Sequence, residues 1–182
     1  MALGSRDRVA SLTLMSTSPT LMAMSPNEVA MEDLPGIAPK LAAVMAQNGP
    51  SPDWSDRAAV IDYIVETERP YAGPGLFDEP WLRSLAGRVF DRTRDMAASM
   101  TNHFLVDSGV CPNASLRRLE GLPTLVLHGT ADPFFGPAHA RALTKAIPQA
   151  RLIELDGVGH QLPPPPAWGQ LVDALTEHTL RV

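Results

Sequence analysis

The sequence has 182 residues, with 15 lysines and arginines against 20 aspartates and glutamates, which gives a formal net charge of −5. This length suffices for one domain with a real hydrophobic core, and the acidic balance argues against a nucleic-acid or anionic-membrane partner. One cysteine excludes an intramolecular disulfide and fits a reducing compartment, so we expect a cytoplasmic location.

The first predicted element is a short apolar strand at residues 9–15, which ends at the polar break Ser16-Thr17-Ser18-Pro19. Charged residues precede this strand without a convincing cleavage site, so no signal peptide is predicted. No apolar run in the chain approaches the roughly 18 residues that a bilayer span requires. We therefore expect no membrane partner.

Residues 20 to about 119 show no strong strand pattern and instead predict a series of short amphipathic helices. These helices are predicted near residues 26–34, 39–47 and 55–68, from residue 78 onward, and at 96–106. Methionine and tryptophan side chains recur here and suit an adaptable apolar surface: Met22, Met24, Met31, Met45, Trp54, Trp81, Met96 and Met100. As a group, these side chains favour a small apolar or aromatic substrate. Any one of them is better explained by ordinary packing between the helices and the core.

Residues 122–162 form the part of the chain with the clearest order. An apolar strand at 124–128 ends at Gly129, and Asp132 follows it in a loop. A helix begins at Pro137, a second strand covers 151–155, and the loop after that strand contains His160. Parallel strands joined by such a crossover bring both loops to one edge of the sheet, where open α/β sheets bind their ligands.

Asp132 and His160 are therefore predicted to meet, 28 residues apart in the chain. A carboxylate that accepts from one imidazole nitrogen fixes the tautomer, and the other nitrogen is then free to take a proton from a nucleophile. These two residues are the candidate catalytic residues. A last helix follows the prolines at 163–166, with a predicted buried stripe of Trp168, Leu171, Val172 and Leu175.

These residues resemble the α/β-hydrolase family, whose acid and histidine follow the last two strands in this order. The resemblance rests on Leu125-Val126-Leu127-His128-Gly129-Thr130-Ala131-Asp132-Pro133 and on Gly157-Val158-Gly159-His160. It implies an α/β class: a partial hydrolase fold with a three-stranded parallel sheet remnant and an inserted helical cap. The core would comprise residues 1–19 and 120–182, and the cap residues 20–119.

The same resemblance implies hydrolysis of a small apolar or aromatic carboxylic ester by a Ser-His-Asp triad that needs no cofactor and no metal. Residues 77–79 and 85–92 look most like esterases of the aclacinomycin methylesterase type. The family's nucleophile motif, G-x-S-x-G, is absent from the sequence. Its nearest imitation centres on Cys111, but Pro112 follows and offers no N–H to an oxyanion hole.

Residues 1–15 resemble the segment that follows the nucleophile in this family, with residues 1–3 as the last turn of a helix. We therefore expect the serine to precede Met1, and the chain alone to be inactive. The missing neighbour strand would leave an open sheet edge, through which we expect self-association.

Other interpretations remain open. Within the same fold, a haloalkane dehalogenase or a cofactor-free haloperoxidase shares the later acid and histidine. From a different class, the chain would be a non-catalytic or inactive hydrolase fragment. His128, His139 and His160 lack the spacing of a metal site, and His139 is predicted to be exposed in the first turn of its helix. Gly157 and Gly159 lack the third glycine of a dinucleotide motif.

Overall fold

A computed structural model describes residues 5–19, 34–47, 49–105 and 115–180, apart from the side chains at positions 103 and 104. Its centre is a three-stranded sheet of parallel strands in the order β1-β2-β3. These strands are β1 (Leu12–Met15), β2 (Thr124–Gly129) and β3 (Arg151–Leu155). The predicted α/β class with a three-stranded parallel sheet is confirmed.

Strand β1 is shorter than the sequence predicts, because its pairing with β2 begins only at Leu12. Leu12 lies opposite Thr124, and its backbone N–H donates to the carbonyl of Pro123 at 2.9 Å. Proline has no N–H to continue the ladder in the other direction. Among the described residues before Leu12, the chain instead forms a 3₁₀ turn at Arg6–Arg8.

The described part of the chain contains six α-helices, of which α5 and α6 pack on the sheet: α1 (Pro39–Met45), α2 (Arg57–Glu68), α3 (Glu79–Arg92), α4 (Met96–Leu105), α5 (Pro137–Ala146) and α6 (Trp168–Leu180). Aspartates fix the starts of α2 and α3. Asp56 accepts from the backbone N–H groups of Ala58 and Ala59, and Asp78 accepts from that of Trp81. The helix predicted near residues 26–34 lies outside the described residues, as do residues 106–114.

The core has one apolar layer on each face of β2. Val126 points to one face and packs in a cluster with Leu143 and Ile147 near α5. Leu125 and Leu127 point to the other face and pack with Ala174 of α6. All six residues of β2 are buried, as expected for a central strand covered on both faces.

Helix α6 buries part of the predicted stripe, since Leu171 and Leu175 pack against the core. Trp168 and Val172 are 45% and 56% exposed, whereas Ala174 and His178 are buried. His178 reaches the carbonyl of Leu12 with its Nε2 atom at 3.1 Å, so a polar side chain takes a place that hydrophobicity would assign to an aliphatic one.

Helices α2 and α3 form a pair with its own small apolar cluster of Ile61, Val65 and Ala86. Exposed ion pairs join the two helices, including Arg57 with Asp91 at 2.8 Å. A 3₁₀ turn at Arg69–Tyr71 follows α2 and brings the chain onto the loop that contains His160. The pair therefore lies beside the edge of the sheet where the candidate residues are.

Candidate functional site

Asp132 lies in the loop between β2 and α5 and is held by backbone donors. Its Oδ1 atom accepts from the N–H groups of Phe134 and Phe135, both at 2.8 Å. Pro133 follows the aspartate, and the two hydrogen bonds form the kind of turn that aspartate side chains commonly make with the backbone ahead of them. The carboxylate has no exposed surface, so its orientation is fixed.

His160 lies in the loop after β3 and faces the other oxygen of the same carboxylate. Its Nδ1 atom is 2.8 Å from Asp132 Oδ2, and the ring is 24% exposed. The backbone N–H of His160 donates to the carbonyl of Tyr71 at 2.8 Å. The ring of Phe134 lies 4.9 Å from the imidazole, centroid to centroid. The two candidate residues are thus in contact through Nδ1 of His160. The other ring nitrogen, Nε2, has no carboxylate beside it among the described residues.

His128, at the end of β2, is a third member of this cluster that the sequence treats only as a strand-end residue. It is 1% exposed, and its Nε2 donates to the carbonyl of Phe135 at 2.6 Å. The same Nε2 lies 3.5 Å from Asp132 Oδ2, while Nδ1 has no hydrogen-bond partner. A buried donor at this place holds the loop that presents Asp132.

Close backbone contacts join the His160 loop to the segment that follows α2. A Cβ atom on Gly73 would lie 1.8 Å from the carbonyl oxygen of Gly157, and one on Gly159 would lie 2.1 Å from that of Tyr71. We call this contact of Gly73, Gly157 and Gly159 the glycine seam. Gln161 adds to it, since its side-chain oxygen accepts from the N–H of Gly73 at 3.0 Å and its amide donates to the carbonyl of Leu76 at 3.1 Å.

An apolar cavity of about 220 Å³ opens between the α2–α3 pair, α4 and the residues after His160. Its walls are mainly aliphatic and aromatic: Ile64, Leu76, Phe77, Trp81, Leu82, Leu85, Ala86, Val89, Met100, Leu162 and Pro164. Glu68, the last residue of α2, also lines it. Burial raises the pKa of the Glu68 carboxyl, and the nearby His160 acts in the opposite direction.

One expectation from the sequence, the exposure of His139, is corrected here. His139 is 4% exposed rather than solvated, since its Nδ1 pairs with the Ser18 hydroxyl at 2.7 Å and its Nε2 with the carbonyl of Pro35 at 2.9 Å. Both partners are distant in sequence, and the helical position of His139 alone does not reveal them. Cys111 lies outside the described residues.

Three absences can be stated for the residues that the structure describes. None of their hydroxyl groups hydrogen-bonds to His160 Nε2. No three of their His, Cys, Asp or Glu side chains are grouped so that they could hold a metal ion. Across the same ranges, no helix combines the length and the apolar character that crossing a membrane requires.

Sequence reasoning missed Glu68 although a signal for it exists. It follows Ile61 by seven residues and Ile64 by four, so it continues the apolar stripe of α2. A carboxylate in such a stripe faces the same space as the neighbouring apolar side chains, which here is the cavity that Ile64 also lines.

Comparison with known proteins agrees with this architecture. The family model described as the alpha/beta hydrolase fold matches residues 1–163. Rhodomycin D methylesterase DauP of Streptomyces sp. (strain C5) is 36% identical over 64 residues, which cover 35% of this chain and 21% of that protein.

Solved structures extend the likeness to the fold of the whole chain. 2-Hydroxy-6-oxo-6-phenylhexa-2,4-dienoate hydrolase from Rhodococcus sp. strain RHA1 matches with a TM-score of 0.59 and 19% identity, over 100% of this chain and 58% of that one. A thermophilic esterase from Thermogutta terrifontis matches with a TM-score of 0.55 and 19% identity, over 99% and 58%. The chain thus spans 58% of the length of these two structures and 21% of the methylesterase.

Proposed function

Because this chain belongs to the α/β-hydrolase family, we propose that it supplies the acid and the histidine of an ester-hydrolysing Ser-His-Asp triad. The observation that carries the proposal is the 2.8 Å contact between Asp132 Oδ2 and His160 Nδ1, made by a carboxylate whose other oxygen is already held by two backbone donors. In this role, Asp132 orients the imidazole and His160 transfers the proton.

The geometry gives each atom a task. With Nδ1–H donating to Asp132, the lone pair of His160 lies on Nε2, which is the form that a general base requires. After His160 takes the proton of a nucleophilic hydroxyl, the ionised Asp132 stabilises the imidazolium. The nucleophile's oxygen bonds to the acyl carbon, and His160 then gives the proton to the alcohol, which leaves as the ester C–O bond breaks. Water, deprotonated by His160, then bonds to the acyl carbon, and the carboxylic acid leaves as the bond to the nucleophile's oxygen breaks and His160 returns the proton to that oxygen.

We place the nucleophile on a serine outside the 182 residues, since no serine of the sequence stands in G-x-S-x-G. The backbone N–H after that serine, with one from an earlier loop, would form the oxyanion hole. The substrate is an apolar or aromatic ester, for which the cavity beside His160 offers mainly aliphatic and aromatic walls. The relative named for methylesterase activity supports this class. We also assign residues 20–119 to the cap and the protein to the cytoplasm.

The coding frame and one assay test the proposal. The nucleophile begins a helix, and a helix averages about 11–12 residues, so G-x-S-x-G should be encoded roughly 8–15 residues upstream of Met1. A protein extended through that motif should hydrolyse p-nitrophenyl butyrate, and the change His160→Ala should abolish this activity. The 182-residue chain should show no His160-dependent turnover, because triad members act as a unit.

Other outcomes favour the alternatives. An aspartate at the centre of the upstream motif would indicate a dehalogenase. An in-frame stop codon directly before Met1, with no such motif nearby, would make Asp132 and His160 non-catalytic. Hydrolysis by the 182-residue chain that His160→Ala abolishes would contradict the placement of the nucleophile outside it.

A second proposal concerns partners. Within the described residues β1 pairs only with β2, so its outer edge presents unpaired backbone groups. We propose that this edge drives self-association of the 182-residue chain. Size-exclusion chromatography should show oligomers, and a sharp monomer peak with cooperative thermal unfolding would contradict it.

A further inference from the structure

The cavity beside His160 has three polar residues in its wall, and two of them are already engaged. Asp78 accepts from the backbone N–H of Trp81 at 2.9 Å. Gln161 uses its side-chain oxygen on Gly73 and its amide on Leu76. The carboxyl of Glu68, in contrast, has no hydrogen bond or ion pair with any residue that the structure describes.

A partly buried carboxyl without a protein partner loses part of its hydration in a cavity whose other walls are mainly apolar. Arg69 follows Glu68 directly but turns away, and it pairs with Glu66 and Glu79 at 2.9 Å each. The charged and titratable groups near Glu68 are Asp78 in the cavity wall, with His160 and Tyr71 beside it. None of them donates a hydrogen bond to its carboxyl.

We propose that Glu68 is the recognition group of this cavity, and that it binds the hydroxyl or amine of a small, otherwise apolar ligand. This inference rests on the proposed function and deepens it, because it assigns a polar substituent to the part of the substrate that enters the cavity. An unpartnered acceptor gains most from a ligand that brings a donor, while aliphatic and aromatic walls select an apolar body.

The size of the cavity limits that body. Pockets that hold drug-sized ligands measure roughly 300–1,000 Å³, whereas this one measures about 220 Å³. A single substituted ring therefore fits better than a fused polycycle. Its donor group should sit at the end nearest α2, where Glu68 closes the helix.

Three probes with one carbon skeleton test the proposal by binding alone. Ethylbenzene, 2-phenylethanol and 2-phenylethylamine are titrated into the 182-residue protein and followed by calorimetry and by the fluorescence of Trp81, which lines the cavity. We expect the alcohol or the amine to bind about tenfold more tightly than ethylbenzene, as one hydrogen bond to a charged or buried group allows. The stronger of the two identifies the donor.

Two variants assign that preference to Glu68. In Glu68→Leu, the alcohol and the amine should bind about as tightly as ethylbenzene, and the affinity for ethylbenzene should stay unchanged. Glu68→Gln, which keeps an acceptor oxygen but no charge, should retain the alcohol and weaken the amine. Glu66→Gln is the matched control on the same helix, since Glu66 is exposed and pairs with Arg69. It should leave all three affinities unchanged.

Equal affinity of the three probes for the unchanged protein would overturn the proposal, as would a preference that survives in Glu68→Leu. Thermal unfolding of each variant verifies that it is folded. Because the readout is binding, its result is independent of turnover. If the extended protein hydrolyses esters but the probes show no Glu68-dependent preference, only the role of Glu68 is rejected. If the probes show that preference but the extended protein is inactive, only the triad is rejected.

Discussion

Two carboxylates lie near His160, and they differ in the hydrogen bonds that the fold gives them. Asp132 is fully buried and fully engaged, with two backbone donors on one oxygen and the imidazole on the other. Glu68 is partly buried among apolar side chains, and burial raises the pKa of its carboxyl. A carboxylate whose acceptors are all satisfied by the fold can orient a neighbour. One that the fold leaves unsatisfied is available to a ligand.

The largest effect on activity is expected from replacing the carboxylate of Asp132. In the extended protein, Asp132→Asn keeps an oxygen for the N–H groups of Phe134 and Phe135 but turns an amide toward Nδ1, which forces the wrong tautomer on His160. We expect kcat for p-nitrophenyl butyrate to fall on the order of 10⁴-fold. Asp156→Asn, at an exposed position in the His160 loop, is the control and should stay within about twofold. A loss of less than tenfold in Asp132→Asn would reject the orienting role.

The glycine seam carries the next largest effect, because it joins the surroundings of the two carboxylates. In Gly159→Ala the new Cβ would meet the carbonyl oxygen of Tyr71, and this overpacking should cost about 3 kcal/mol. For a chain of this size we expect Tm to fall by roughly 6–12 °C. Gly169→Ala, where nothing lies within 4 Å, should leave Tm unchanged or slightly higher. Equal Tm values for both variants would show that the contact is not maintained in solution.

Removing His128 tests whether the Asp132 loop depends on it. His128→Leu leaves the buried carbonyl of Phe135 without its donor, which should cost about 1–3 kcal/mol. The matching fall in Tm is roughly 2–12 °C. The exposed Arg141–Glu154 pair offers a comparison, since Arg141→Leu should change stability by less than about 1 kcal/mol. If His128→Leu proves as mild, the histidine does not support the loop.

The smallest effect is the pH dependence of Glu68. Its folded-state pKa is raised above the ordinary value of 4.5, so the unfolded chain ionises this group first as the pH rises. The carboxyl therefore destabilises the fold progressively above pH 4.5, until the folded form has ionised as well. We expect the Tm advantage of Glu68→Gln over the unchanged protein to grow between pH 4 and pH 7. A constant or shrinking difference would contradict the direction of the shift.

The sequence predicts the Asp132–His160 contact for a specific reason. Strand order and parallel direction follow from a local pattern of strand, helix and strand, and both loops must then share an edge. The bounds of β3 were predicted correctly at Arg151–Leu155 for the same reason. The catalytic use of the pair stays a prediction.

Contacts between distant parts of the chain were not predictable in this way. Trp168 was expected in the buried stripe of α6, but its ring lies at the surface, 6.3 Å from that of Trp81 in α3. His139 is buried through Ser18 and Pro35, which are more than 100 residues away. Periodicity describes one helix at a time, and neither partner belongs to the helix in question.

The glycine seam also sets a limit for anyone who wishes to exchange the α2–α3 pair for that of another hydrolase. The backbone of residues 71–73 lies so close to Gly157 and Gly159 that no side chain fits between them. Foreign sequence that extends into residues 71–76 from either helix would put foreign backbone against the His160 loop, whereas foreign sequence that stops before residue 71 and resumes after Leu76 retains the original contact. Residues 71–76 should therefore be inherited together with the histidine and not with the two helices on either side of them.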